Sequence, residues 1–184
     1  KEIHEYTMCL PETYYGPGSY NKWIRVGWAL ANVDKSLDNR LFLTWLKMSS
    51  QFPCKGKLSK GDQAGVFDWS LVSKLYDLWE GFDYDNSDGL TDRSIMYWAR
   101  EDAREKYDRV RRDTVDYYIE ESIKTSTEFD LAAVLFHCYK DRYICASVQK
   151  NIWYEYTNNR WYEIDSAQSL RVMISNEVHD MYLK

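Results

Sequence analysis

The sequence contains few of the residues that mark flexible or cross-linked chains. Its 184 residues include three Pro, eight Gly and four Cys. So few Pro and Gly residues argue against collagen-like repeats and long flexible linkers. The cysteines form no Cys-x-x-Cys pair, and disulfide scaffolds are uncommon in chains of this size, so reduced thiols are expected at Cys9, Cys54, Cys138 and Cys145. No apolar run approaches the ~20 residues that a membrane-spanning helix needs.

The motifs of common nucleotide and hydrolase sites are also missing. The segment GKLSKGD (residues 56–62) has the composition of a Walker A loop but not the order that cradles phosphate. A dinucleotide-binding fingerprint and a GxSxG motif do not occur. These absences make an independent enzyme the least favoured interpretation.

Metal-binding patterns are incomplete. His137, Cys138 and Cys145 supply three soft ligands, whereas a structural zinc site normally has four with tight paired spacing, so buried thiols are the favoured interpretation. The acidic run at 83–88 resembles the start of a calcium loop, but Ser94 stands where that loop needs its closing Glu. We therefore expect no metal or cofactor in this segment and a polar turn at 83–88.

Aromatic side chains are what the sequence has in excess. Sixteen Tyr, eight Trp and six Phe bring the aromatic share to 16%, and 45% of all residues are hydrophobic, which is enough for a packed core. The net charge is −5. This acidic balance argues against broad binding to nucleic-acid phosphates and restricts such binding to local surfaces.

Hydrophobic periodicity predicts a mainly α fold with a small α+β part at its C-terminal end, arranged as a helical module followed by helix, strand, β-hairpin and helix. We expect an irregular lead-in over 1–18, a helical module over 19–110 and an α+β domain over 111–184, with the boundary inside 103–126. Helices are expected over 20–33, 37–51 and 69–82, again after Thr127, and over 167–183. Between 92 and 124 the pattern allows either one continuous helix or a break and restart near Arg104. Ser19, Asp38 and Thr127 are candidate caps.

Two features remain as candidate nucleic-acid contacts. The first is a glycine-spaced basic loop with Lys55, Lys57 and Lys60, whose simpler interpretation is a solvated surface loop. The second is the hairpin around Asn158 and Asn159, since Asn tolerates the positive φ of a tight turn. A two-residue turn pairs Thr157 with Arg160, Glu155 with Tyr162, and Trp153 with Ile164. Both faces are then aromatic, so the hairpin is either covered on two sides, which is the simpler interpretation, or leaves one side free to stack on bases.

The order of the aromatic residues resembles one known family. The segments YNKWIRVGWALANV, LFLTWLKMSSQ, LYDLWEGF and GLTDRSIMYWAREDAREKYDRV resemble the type-two primase C-terminal domain of viral replicative primase–helicases. The family's marks are matched by Trp23, Gly27, Trp45, Trp79, Phe82, Ser94, Tyr97, Trp98 and Ala99. The later segment resembles the domain that precedes the helicase motor in the same proteins. Its marks are matched by Trp153, Tyr154, Tyr156, Arg160, Trp161, Leu170, Ile174 and Ser175.

This resemblance implies the central region of a primase–helicase of the nucleocytoplasmic large DNA virus type, the poxviruses and giant viruses. Such proteins carry an N-terminal primase and a C-terminal hexameric ATPase that uses ATP and Mg, and they act in the cytoplasm or nucleus of the host cell. The segment itself is expected to be non-catalytic, to link the primase and helicase domains of its chain, and to contact single-stranded DNA through Lys55, Lys57, Lys60, Trp153, Tyr154, Arg160 and Trp161. The alternative is an interaction or oligomerisation module that binds other replication proteins without touching DNA.

Overall fold

The predicted fold class is confirmed: helices dominate, and one small antiparallel sheet lies near the C-terminal end. A computed structural model of the chain describes residues 1–33, 39–51, 69–82 and 89–183. Their helices are α1 (Glu2–Cys9), α2 (Tyr20–Val33), α3 (Arg40–Ser49), α4 (Val72–Glu80), α5 (Asp92–Asp102), α6 (Arg104–Thr125), α7 (Glu128–Tyr139), α8 (Gln168–Met173) and α9 (His179–Tyr182). The sheet has the order β1–β2–β3, with strands β1 (Tyr143–Ser147), β2 (Ile152–Thr157) and β3 (Arg160–Ile164). The predicted cap at Asp38, the lysines at 55, 57 and 60, and the acidic run at 83–88 lie outside the described residues.

The chain divides into two compact units, Lys1–Val110 and Arg111–Lys184, and the border falls inside α6. We call them the N-terminal unit and the C-terminal unit. In the part of the chain that the structure describes, no helix combines the length and the apolar character needed to cross a bilayer.

The expectation of an irregular lead-in over 1–18 is wrong at its start, because α1 occupies Glu2–Cys9. Tyr6 on this helix is fully buried and stacks on Tyr107 with 5.0 Å between ring centroids. His4 Nδ1 lies 2.9 Å from Thr44 Oγ1, and burial lowers the pKa of that imidazole. A helix of eight residues is only marginally stable by itself, so these tertiary contacts stabilise it. Because its stability comes from distant residues, its own sequence gives little indication of a helix.

The centre of the N-terminal unit is a cluster of aromatic rings. Trp45 on α3 is fully buried and stacks on Trp23 of α2, with 4.4 Å between their centroids. Its Nε1 donates a hydrogen bond to the carbonyl oxygen of Trp23 over 3.2 Å. Trp79 and Phe82 complete the cluster, with centroids 6.0 and 5.6 Å from that of Trp45. Each such ring buries a large apolar surface, so these four of the marks recognised in the sequence help to hold the unit together.

The helix α2 matches its expected bounds, but the inner side of α4 differs from its prediction. Ser19 precedes α2 and donates its hydroxyl to the carbonyl of Gly16, while its own carbonyl accepts the amide of Trp23. In the helix expected over 69–82, the spacing of Leu71, Leu75 and Leu78 predicts one inner face, with Trp79 beside it. Leu78 is exposed instead, because the helix turns the much larger Trp79 inward.

The boundaries of α5 and α6 follow local chemistry. Thr91 and Ser94 form a capping box, in which each side chain bonds the backbone amide of the other. Ala103 leaves helical geometry with φ −146° and ψ 47°, and α6 begins at Arg104. Of the two alternatives that the sequence left open, a continuous helix and a break near Arg104, the structure has the break.

The C-terminal unit packs the sheet and its helices around a second core. The predicted cap at Thr127 is confirmed, since its hydroxyl oxygen accepts the amide of Asp130. The predicted final helix is present as α8 and α9 joined by a π-helical turn at Ile174–Val178. Its apolar residues at helical spacing join the second core with Val134, Cys138 and Tyr143; they are Leu170, Met173, Ile174, Val178 and Met181.

Candidate nucleic-acid interface

The β2–β3 hairpin has the turn and register that its sequence predicts. Asn158 and Asn159 occupy the two-residue turn with φ values of 49° and 61°. The strands pair antiparallel, with Thr157 opposite Arg160, Glu155 opposite Tyr162, and Trp153 opposite Ile164. Positive φ at both turn positions matches the right-handed twist of the two strands.

The two faces of the sheet have different surroundings. Tyr143, Glu155 and Ile164 share the inner face, where Tyr143 is buried and Ile164 packs against the second core. Ile144 and Tyr154 pair on the opposite side, and Tyr156 pairs with Trp161 there. We call this side, formed by Ile144, Tyr154, Tyr156 and Trp161, the outer face. Three of its four members are more than a third exposed.

The structure separates the hairpin residues that the sequence grouped as one DNA contact. Tyr154 and Trp161 lie on the outer face, whereas Trp153 lies on the inner side and donates its Nε1 to Asn151 Oδ1 over 3.0 Å. Arg160 is exposed beside the turn and pairs with Thr157, in register with the inner side. A ligand on the outer face would therefore touch Tyr154 and Trp161 but not Trp153.

The outer face presents a pair of aromatic rings that the sequence argument only half identified. Tyr156 and Trp161 have ring centroids 5.1 Å apart and planes inclined by 52°, and they are 40% and 43% exposed. Tyr154 lies next to them and donates its hydroxyl to Glu163 Oε2 over 3.3 Å. Exposed rings of this kind stack on unpaired bases whatever the base sequence. Cross-strand pairing was the signal that could have added Tyr156 to the candidates.

Glu155 on the inner face forms a hydrogen-bonded cluster that the sequence argument missed. Its Oε1 accepts from Arg142 Nη2 over 2.7 Å and from the Tyr143 hydroxyl over 3.2 Å, and its Oε2 accepts from Ser169 Oγ over 2.8 Å. Burial would raise the pKa of this carboxyl, but the bonds from Ser169, Arg142 and Tyr143 outweigh it and hold the pKa below its ordinary value. The cluster borders a cleft of about 520 Å³ that also contacts Val172 and Met173. Because Glu155 lies on β2, Tyr143 on β1 and Ser169 on α8, the cluster ties the sheet to the helix.

Two of the three candidate metal ligands, Cys138 and His137, contact other side chains. The Cys138 thiol is buried, which raises its pKa, and its Sγ lies 4.0 Å from Met181 Sδ. His137 stacks on Tyr118 with 4.1 Å between ring centroids. Among the residues that the structure describes, no group of three or more His, Cys, Asp or Glu side chains could hold a metal ion.

Comparison with known protein families gives the same family as the aromatic marks do. The sequence model of the family described as primase C terminal 2 (PriCT-2) matches residues 3–99, more than half of the chain. This chain belongs to the PriCT-2 family. The family predicted from Trp23, Gly27, Trp45, Trp79 and Phe82 is thereby confirmed. The match begins at residue 3, so the PriCT-2 region includes α1, which the sequence argument had placed in a lead-in.

Two viral relatives extend the similarity past the PriCT-2 region. A protein of Acanthamoeba polyphaga mimivirus that is named as a helicase is 32% identical over 163 residues, which cover 89% of this chain and 15% of the relative. A protein of African swine fever virus that is named as a primase is 25% identical over 160 residues, which cover 84% of this chain and 15% of the relative. Both viruses are large DNA viruses, as the sequence predicted. The chain thus spans about one seventh of the length of the relatives that it matches.

Proposed function

We propose that this chain is a non-catalytic segment of a viral DNA-replication primase–helicase, in which it links the primase and helicase domains and contacts single-stranded DNA through the outer face of the hairpin. The outer face carries the DNA half of this proposal, because Tyr156 and Trp161 are both large, paired and exposed. Membership of the PriCT-2 family and similarity to proteins named as a helicase and a primase support the replication context.

The chemistry of the segment fits a supporting role. In the described residues, the ion pair of Arg142 and Glu155 has a structural role, because it joins the start of β1 to β2. ATP hydrolysis with Mg, and assembly into a hexamer, are proposed for the whole protein and are assigned to domains outside this chain. The lysines at 55, 57 and 60 remain proposed phosphate contacts.

Because the outer face is aromatic and carries Glu163, its contact with DNA should rest on stacking more than on ion pairs. We expect weak binding that depends less on salt than binding through many phosphates does.

Fluorescence polarisation with labelled single-stranded DNA, at low and moderate salt, tests the proposal. Trp161→Ala and Tyr156→Ala should each weaken binding by about 1–3 kcal/mol, the usual contribution of one stacked base. Tyr162→Ala is the matched control, since Tyr162 is 46% exposed on the other side of the same strand. An unbound wild-type chain at low salt would remove the DNA contact, and equal losses in all three variants would remove its assignment to the outer face.

A further inference from the structure

The helix α7 carries a second apolar surface, on the side away from the core of the C-terminal unit. Val134 and Cys138 face that core and are buried. Phe129 and Phe136 are 81% and 60% exposed, and the residues between them on the same side are Ala132 and Ala133. The spacing i, i+3, i+4, i+7 puts these four residues on one stripe, which we call the Phe129–Phe136 face.

Two exposed Phe rings on one stripe are unusual for a protein surface. A helix that is apolar on both sides is normally buried on both sides, and contiguous exposed apolar patches mark binding surfaces. The centroid of the Phe136 ring lies 5.8 Å from the Lys140 ammonium and 5.3 Å from the centroid of the His137 ring, and both neighbours belong to the end of α7 itself. The Phe129–Phe136 face is therefore a candidate binding surface, and its shape and charge indicate which partner would fit it.

The order of residues along the face is symmetric. Read in either direction it runs large, small, small, large, with Phe at each end and the pair Ala132 and Ala133 in the middle. Two copies of α7 packed antiparallel, about a two-fold axis between these alanines, would set each Phe129 against Phe136 of the other copy. The small central residues allow the helix axes to approach closely, and the same patch serves both copies, as an isologous interface requires.

The charges at the two ends of the helix select the antiparallel direction. Glu128 and Asp130 lie in the first turn, whereas Lys140 follows the last turn on the same side as Phe136. Hydrogen bonds from the Thr125 and Thr127 hydroxyls lower the pKa of Asp130, so this end stays negative at neutral pH. An antiparallel pair places the acidic end of each copy beside the basic end of the other, whereas a parallel pair would juxtapose like charges.

We propose that two copies of this chain associate through their Phe129–Phe136 faces, with the α7 helices antiparallel. The proposal goes beyond the proposed function and does not depend on DNA contact. A single helix pair buries less surface than a standard stable interface, so the association is expected to be weak and reversible.

Sedimentation velocity over a concentration series of the 184-residue chain tests the association. Phe129→Glu and Phe136→Glu should each weaken it about tenfold or more, as for central aromatic residues of other interfaces. Val148→Glu is the matched control, because Val148 is 86% exposed in the same unit but lies outside the face. Circular dichroism of each variant verifies that it folds. A wild-type chain that stays monomeric, or a control that weakens association equally, overturns the proposal.

Charge reversal tests whether two copies of this chain pair with their α7 helices antiparallel. Glu128→Lys and Lys140→Glu should each weaken the dimer severalfold, and the double variant should restore it, because both contacts across the two-fold axis are then reversed together. A double variant at least as weak as the single variants would refute the antiparallel arrangement. Association that survives Phe129→Glu would show that other residues form the interface.

Discussion

Gly27 on α2 lies directly against the indole of Trp45. A Cβ atom at Gly27 would stand 2.9 Å from Cε2 of Trp45 and 3.1 Å from Cε2 of Phe82, closer than carbon atoms pack. The absence of a side chain at this one position lets α2 and α3 close around the buried tryptophan. Both residues are among the marks by which the family was recognised, and their contact gives those marks a physical meaning.

Gly27→Ala should therefore destabilise the N-terminal unit by about 1–3 kcal/mol, the usual range for overpacking a core. The measurement is chemical denaturation followed by tryptophan fluorescence. Gly81→Ala is the control, because a Cβ there meets its nearest atoms at an ordinary 3.5 Å. Equal stability of Gly27→Ala and wild type would show that the core yields more readily than the contact indicates.

Tyr14→Phe should reduce stability at neutral pH and flatten its decline in alkali. The Tyr14 hydroxyl donates to Asp102 Oδ2 over 2.7 Å, and its loss should cost about 0.5–1.5 kcal/mol. Burial, with the bond to Asp102 and its charge, raises the pKa of Tyr14 well above the ordinary value. The neutral phenol thus adds stability that is complete below the unfolded-state pKa, about 10, and is lost as the pH rises toward the folded-state pKa.

Denaturation midpoints of wild type and Tyr14→Phe between neutral pH and about pH 11 measure this effect. The gap between the two proteins should narrow as the pH rises. A difference between the two midpoints that stays constant with pH would contradict a raised pKa for Tyr14 in the folded state.

Glu155→Gln should destabilise the C-terminal unit at neutral pH by about 1–3 kcal/mol, because hydrogen bonds to a charged carboxylate are replaced by weaker ones. The pKa of Glu155 is lowered in the folded state, so its stabilisation is present above the unfolded-state pKa and disappears as the pH falls through the folded-state pKa. Urea midpoints from pH 7 down to about pH 3 should converge for the two proteins. Glu163→Gln, on the outer side of β3, should change little at any pH.

Asn159→Ala should cost about 1 kcal/mol, since residue 159 has φ 61°, a left-handed conformation that Asn tolerates better than Ala does. Asn159→Gly should be as stable as wild type or slightly more so, because Gly adopts positive φ without strain. Urea denaturation followed by far-ultraviolet circular dichroism compares the three chains. If Ala and Gly behave alike, the turn does not require positive φ at residue 159.

Local chemistry explains where the sequence succeeded. The Thr127 hydroxyl caps α7 through the amide of nearby Asp130, and the register of β2 and β3 follows from a two-residue Asn turn. Such features depend on a few consecutive residues, so a sequence displays them directly. The helix α1 was missed for the converse reason, because Tyr6 and His4 are stabilised by residues far along the chain.

In the candidate site, too, some features follow from the local sequence and others from tertiary packing. The alternation of β2 placed Trp153 and Tyr154 on opposite sides, yet which side meets the helices depends on where α8 packs. Glu155 illustrates the difference most clearly, since Arg142 and Tyr143 approach it from the start of β1 and Ser169 approaches it from α8. A one-dimensional pattern contains no signal for that convergence.

By itself the sequence determined the family, the mainly α fold, the cap at Thr127 and the register of the hairpin, because each depends on local periodicity, turn chemistry or the order of aromatic marks. Only the tertiary structure decided that Trp45 rests on Gly27, that Trp79 rather than Leu78 turns inward, that Tyr156 and Trp161 are exposed together, and that Phe129 and Phe136 lack cover within the described residues. These outcomes depend on which surfaces meet when helices and strands pack, and that competition for burial is settled in three dimensions.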